Sequence, residues 1–343
     1  MKIGIVGPDN AGKTSVFQCI TGLTEAQMGG KNAHLGVVRV PDERLDVLSA
    51  MYQPKKTTPA EVTFVDLGQN ASQAERLSSL TGALADAEAL AVVCGAFMED
   101  RPRDSLESYL LDLALADLSL VENRLEHIAK DVQRGKKEAR ADEPLMQRLQ
   151  EILGDGRRVA DLELAAEETK ALRGYQFVTG KPTVVIANVA EKDLGNGVAQ
   201  SIAGAAGEHG LPSCEMCCPL ELEVSQLQPE DRKVFMADYG MSASARDRFI
   251  RAAYEMTDLI SFFTVGADEV RAWSIPRGTP APVAAGKIHS DIQQGFIRAE
   301  VVAYEDLAAA GSLAECRSQG TVRLEGKTYQ IQDGDVIDFR FSV

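Results

Sequence analysis

Short apolar runs alternating with helical stretches open the chain. Lys2–Val6, Gly36–Val40, Glu61–Asp66 and Ala89–Cys94 read as strands, and the helical spacing between them predicts an α/β fold with a parallel-rich sheet built from strand–helix–strand units. At Ser105 the period changes. Leu111, Leu115, Leu118, Val121, Leu125, Ile128 and Val132 recur every three or four residues, which predicts one long amphipathic helix. A second helical pattern with Leu145, Leu149 and Ile152 follows, so the pair predicts an antiparallel helical-hairpin (coiled-coil) insertion. Strand character resumes at Thr183–Ala187, a continuous apolar run suited to burial on both faces. A helix near Val198–Glu208, a strand near Ser213–Cys217 and helices around Glu230–Ala237 and Ala243–Met256 complete this part. From Phe262 onward the texture is short strands with turn signals at Pro276-Arg-Gly278, Gly311-Ser312, Glu325-Gly326 and Asp333-Gly334, which predicts a compact β-rich domain. The expected division is therefore 1–103 with 174–260, an insertion over 104–173, and a last domain over 261–343.

Length supports that division, because 343 residues exceed the roughly 100–200 of an ordinary domain. With 36 Lys and Arg against 51 Asp and Glu, the net charge of −15 argues against a surface that coats polyanions, leaving only local basic patches. One such patch is Arg134, Lys136, Lys137 and Arg140 at the expected hairpin tip, which a solvated helix end explains equally well. Six cysteines in this length are too few for a disulfide framework. Cys214 and Cys217 lack the second ligand pair a zinc ribbon needs, and His34, His127, His209 and His289 stand at no ligand spacing, so buried reduced strand positions are expected for the two thiols. No run of about 18 apolar residues occurs, and the amino terminus enters a strand pattern without a basic region or a small-residue cleavage site, so the expectation is no membrane and a cytoplasmic location.

The chemistry sits directly after the first strand. Gly7-Pro8-Asp9-Asn10-Ala11-Gly12-Lys13-Thr14 matches G-x-x-x-x-G-K-[ST] in full, between a strand and a helix. Glycines at both ends let main-chain N–H groups wrap a phosphate, and the helix amino terminus adds partial positive charge. Asn10, Ala11, Gly12, Lys13, Thr14 and Ser15 are the expected phosphate contacts, with Lys13 on the β and γ phosphates. Thr14 and Asp66, the latter at the end of Val62-Thr63-Phe64-Val65-Asp66, are the expected Mg²⁺ contacts. Asn188, Val189 and Glu191 form the expected base-reading loop. Guanine-specific loops follow N-K-x-D; here Val189 and Glu191 replace the lysine and the aspartate, which favours ATP while leaving GTP open. Asn188 would serve equally as a turn residue at a strand end.

Gly7–Ser15, Gly36–Asp46, the Asn188–Glu191 loop, Glu269-Val-Arg-Ala-Trp273, Ala285–Asp291 and Gly295–Val301 together resemble the YchF (Obg-like ATPase) family of P-loop proteins, nearly end to end. The resemblance implies a G domain interrupted by a helical hairpin, followed by a β-grasp-like TGS domain. It also implies ATP preferred over GTP, Mg²⁺, and a ribosome or RNA as partner. In that family the Asp66 strand continues D-x-A-G, a switch-loop threonine completes the Mg²⁺ shell, and a histidine before the insertion positions water. This chain has Asp66-Leu-Gly-Gln69, no threonine over Met28–Leu35, and no histidine over Phe97–Asp104. Gln69 is the one stand-in for water positioning, so binding with slow or absent hydrolysis is expected. A scaffold that keeps the fold without nucleotide switching is the alternative. A small-molecule kinase is not supported, for the last domain would have no purpose in one. In that domain Arg271, Trp273, His289 and Arg298 are the residues of interest, with core packing the plainer reading of Trp273. Oligomeric state is not legible.

Overall fold

The computed structural model describes residues 1–28, 34–66, 84–97, 102–136, 141–172, 174–195, 197–228, 231–232, 234–235 and 244–342. They form two compact units, Met1–Gly36 with Thr63–Arg246 and Val37–Val62 with Asp247–Val343.

The first sheet contains β1 (Lys2–Val6), β2 (His34–Arg39), β4 (Glu61–Asp66), β5 (Ala89–Gly95), β6 (Thr183–Asn188) and β7 (Ser213–Met216), in the order β2-β4-β1-β5-β6-β7. β1 pairs in parallel with β4 and β5, β5 with β6, and β6 with β7. The chain thus winds to one side of β1 and then to the other, and open α/β sheets bind ligands at the carboxyl ends of strands beside such a reversal. All of β5 and β6 is buried, as their unbroken apolar runs require. Leu90, Val92, Leu106, Val185 and Ile202 share one core between sheet and helices. Inside it, Lys181 Nζ donates to the carbonyls of Leu84 (2.5 Å), Ala87 (2.6 Å) and Ala85 (3.3 Å). Burial pulls this ammonium below its usual range, and the three carbonyls replace the water it gives up.

The long helix spans Pro102–Gln133, and the next spans Glu143–Gly154. They run antiparallel: Arg124 pairs with Asp142 at 2.9 Å, while Leu111 faces Gly156 further back. Val121, Ile128, Leu145, Met146, Leu149 and Leu153 fill the seam, at the three-and-four spacing read from the sequence. The first helix gives way to a turn at Gly135, whose φ of 90° suits glycine alone. Arg134 is exposed there and Lys136 pairs with Asp131 at 3.2 Å, whereas Lys137 and Arg140 lie outside the described residues.

In the second unit β3 (Lys56–Thr58), β8 (Leu259–Thr264), β9 (Glu269–Pro276), β10 (Phe296–Ala303), β11 (Arg323–Glu325) and β12 (Asp335–Phe341) form a mixed sheet ordered β11-β10-β12-β8-β9-β3. Helix Ala281–Ile288 buries Ala281, Ala284 and Ala285 against Ile260, Phe262 and Ile337, small residues that let helix and sheet come close. β3 has no apolar alternation and is not read from sequence. It is held by parallel pairing to β9, by Lys55 on Asp268 (2.8 Å), and by the Thr58 hydroxyl donating to Glu269, which holds that carboxyl below its usual range. The Gly311-Ser312 signal joins two helices rather than strands. Gly311, at φ 77°, ends Tyr304–Ala310, and the Ser312 hydroxyl caps Leu313–Gln319 by accepting from Glu315 N. Trp273 packs against Phe262, donates from Nε1 to Thr264 Oγ1 (3.0 Å) and carries the Arg271 guanidinium 4.0 Å over its ring.

Arg44, in the helix Glu43–Tyr52, ties segment 37–62 into this unit. Its guanidinium donates to Asp42 (2.9 Å) and Asp333 (2.8 Å) and lies 5.2 Å over the Phe263 ring, while Asp333 also accepts from Ser261 N. Arg44→Met should therefore destabilise the protein by about 2 kcal/mol, read as a shift of the urea midpoint at unchanged slope.

Candidate functional site

The loop that leaves β1 is shaped by three residues at positive φ. Gly7 has φ 148°, and a Cβ there would lie 2.2 Å from the Val93 carbonyl oxygen, so only glycine fits beside β5. Asn10 sits at φ 59°, a conformation asparagine tolerates, and Gly12 at φ 85° starts helix Lys13–Thr21. A Cβ on Gly12 would lie 2.3 Å from Asn188 Nδ2. Lys13 bends back over the turn, its Nζ donating to Gly7 O (3.0 Å) and Pro8 O (2.5 Å).

Four strand ends converge on this turn. β1 supplies the loop itself. From β4, Asp66 is 1% exposed and accepts from the Thr14 hydroxyl at 3.0 Å. From β5, Gly95 passes so close that a Cβ would lie 3.0 Å from Ala11 Cα, and Phe97 reaches over toward Gly12. From β6, buried Asn188 donates through Nδ2 to Ala11 O at 3.1 Å. Asn188 is thus a strand-end residue that braces the phosphate-type loop, a role the turn reading does not contain. Val189 is buried and its N–H donates to Met216 O at 3.0 Å, whereas Glu191 is exposed at the start of the turn Glu191–Asp193.

The structure therefore gathers Asn10, Ala11, Gly12, Lys13, Thr14, Asp66 and Asn188 into one place. Ser15 follows on the same helix turn and is exposed. Gln69 lies outside the described residues. Sequence reasoning missed His34, whose ring stands beside Asp66 with Nδ1 3.9 Å from Oδ2, and Phe97. Nothing in the sequence marks His34, because its neighbourhood is made by β2 folding back onto the first helix. Cys214 is half-buried on β7, while Cys217 and Cys218 are buried where the next helix begins, not on the strand; all six cysteines are reduced. Among the described residues no group of three or more His, Cys, Asp or Glu is arranged to hold a metal ion by itself.

Comparison with known proteins places this geometry. The family described as YchF-GTPase_C, a protein of unknown function (DUF933), matches residues 259–342. "Ribosome-binding ATPase YchF" of Bacillus subtilis is 36% identical over 99% of both chains, and the protein of the same description from Escherichia coli O157:H7 is 35% identical over 100% of this chain and 99% of its own. The chain belongs to the YchF family. A solved structure titled as the YchF GTPase of Schizosaccharomyces pombe superposes with a TM-score of 0.87 at 25% identity, covering 99% of this chain and 97% of that one. A GTP binding protein from Pyrococcus horikoshii, at TM-score 0.59 and 15% identity, shares the fold alone. The YchF carboxy-terminal region thus begins with β8 and runs through β12. No described helix is long and apolar enough to cross a membrane.

Proposed function

We propose that this YchF chain binds a nucleoside triphosphate with Mg²⁺ at the Gly7–Ser15 loop, prefers ATP to GTP, hydrolyses it slowly, and uses the bound state to control association with the ribosome. The observation that carries the reading is the Thr14–Asp66 pair. A hydroxyl and a carboxylate are the hard oxygen donors magnesium takes, and they stand 3.0 Å apart next to Lys13, where one or two protein ligands suffice because phosphates and water complete the shell. Thr14 and Asp66 would hold the ion, which would supply positive charge against the phosphates. Lys13, already turned inward onto two carbonyls, would exchange them for phosphate oxygens, and the first amides of the helix would supply further donors.

ATP preference rests on Asn188–Glu191, where buried Val189 offers no charge and no aspartate is present to accept from guanine. Slow hydrolysis rests on the missing threonine and histidine noted above. The ribosome reading rests on the relatives' description, "Ribosome-binding ATPase YchF". Titration with fluorescent ATP and GTP analogues, with Mg²⁺ and with EDTA, tests it: ATP should bind more tightly than GTP and more tightly with Mg²⁺. Failure of both nucleotides to bind at high micromolar concentration would leave the scaffold reading in its place.

A further inference from the structure

His34 belongs to no part of the phosphate motif, yet its ring is held firmly at the Thr14–Asp66 pair. Its side chain is 12% exposed, and its Nδ1 is buried without a hydrogen-bond partner, 3.9 Å from the Asp66 oxygen that accepts from Thr14. Two contacts fix the ring there. It lies 6.2 Å from the Phe17 ring, centroid to centroid, and the β2 backbone rests on the first helix so closely that a Cβ on Gly36 would lie 2.2 Å from Thr21 Cγ2. Buried polar nitrogens are rarely left without a partner, so an aimed and orphaned one needs a reason.

A separation of 3.9 Å is too long for a direct hydrogen bond, and beyond 3.5 Å a shared water is the contact to look for, here one set to the side of the line between the two atoms. Thr14 Oγ1, Asp66 Oδ2 and His34 Nδ1 come from three different elements and together offer the two to four polar partners a bound water requires. We propose that His34 is an outer-shell positioning residue for the magnesium ion: with the ring proton on Nε2, Nδ1 accepts a hydrogen bond from an ion-bound water held against Asp66. The stretch Met28–Leu35 contains no threonine to do this. The inference rests on the nucleotide and Mg²⁺ reading above and adds a residue to it.

The test uses the full chain and a fluorescent ATP analogue, titrated over a range of Mg²⁺ concentrations and in EDTA. Groups that hold metal-bound ligands from the outer shell typically change metal affinity by about 10–100-fold when removed. His34→Leu keeps the ring's apolar packing and removes the nitrogen, so it should need about tenfold more Mg²⁺ for half-maximal enhancement of ATP binding while its affinity in EDTA stays that of the wild type. His34→Asn restores an acceptor near the Nδ1 position and should return most of the Mg²⁺ response. The unchanged affinity in EDTA shows that the variants are folded. Equal Mg²⁺ requirement in His34→Leu and wild type overturns the inference, as does an Asn variant no better than Leu. A wild type that binds ATP without any Mg²⁺ response overturns it while sparing nucleotide binding, and a wild type that binds neither nucleotide overturns both.

Discussion

Lys13→Ala is expected to weaken ATP binding by about 100-fold, close to 3 kcal/mol, measured by fluorescent nucleotide titration. The size follows from what the ammonium does in each state. Free, it donates to the carbonyls of Gly7 and Pro8, which hold it over the turn and reduce the ordering needed when phosphate arrives. Bound, those neutral acceptors give way to charged ones, and direct Coulomb attraction is added to bonds that are charge-assisted in either state. Since Gly7 and Gly12 set the loop through backbone shape and close approach, the variant should keep its melting temperature within a few degrees. If ATP and ribosome association both survive Lys13→Ala unchanged, the loop serves only as scaffold.

A second large effect is expected far from the loop. Asp117, on the helix Pro102–Gln133, is 0% exposed, and its carboxylate accepts from Val178 N (3.0 Å), Thr179 N (2.8 Å) and Thr179 Oγ1 (2.6 Å). Thr179 Oγ1 in turn accepts from Val159 N at 3.2 Å. One acidic group thus satisfies a buried turn and joins the core around the sheet to the core of the hairpin, for Val178 belongs to the first and Phe177 to the second. Asp117→Ala leaves three donors without an acceptor and should lower stability by about 3–5 kcal/mol, seen as a reduced urea midpoint. Thr179→Val keeps the two backbone donors to Asp117 satisfied and strands only Val159 N, so it should lose about half of that.

The same carboxyl has a signature in pH. Burial lifts it above the usual aspartate range, outweighing the donors from Thr179 and Val178. The folded chain therefore holds this proton more tightly than the unfolded chain. The stability so contributed is complete below the unfolded carboxyl's pKa and is lost as pH rises through the folded one. The gap between wild type and Asp117→Ala should accordingly narrow as pH climbs across that window. A gap that widens instead would show that the three donors outweigh burial.

Much of the architecture was visible in the order of residues because the signals involved are local. β5 and β6 are buried on both faces, so each shows as an unbroken apolar run. The long helix keeps one apolar face buried along its 32 residues, first against the sheet core and then against its hairpin partner, so its period survives counting. β3 gave no such signal: Lys-Thr-Thr becomes a strand because β9 offers an edge to pair with, a circumstance 213 residues away. The Gly311-Ser312 pair was read as a turn, which it is, but the elements on either side are set by packing, and they are helices.

The order of residues alone determined the loop Gly7–Thr14, since a chain that must turn through positive φ and present its amides in sequence needs glycines and a lysine at set intervals. Tertiary structure decided which distant groups meet it. Asp66 against Thr14, Asn188 against Ala11 and His34 beside Asp66 are separated by tens to nearly two hundred positions; Asp66 and Asn188 meet the loop because parallel strands bring their carboxyl ends to one edge of the sheet, and His34 joins them from the first residue of β2, the neighbour of β4. Spacing along a chain records only what neighbours require of one another; the company a side chain keeps across a sheet depends on strand order and register, and these are settled by the packing of the whole core.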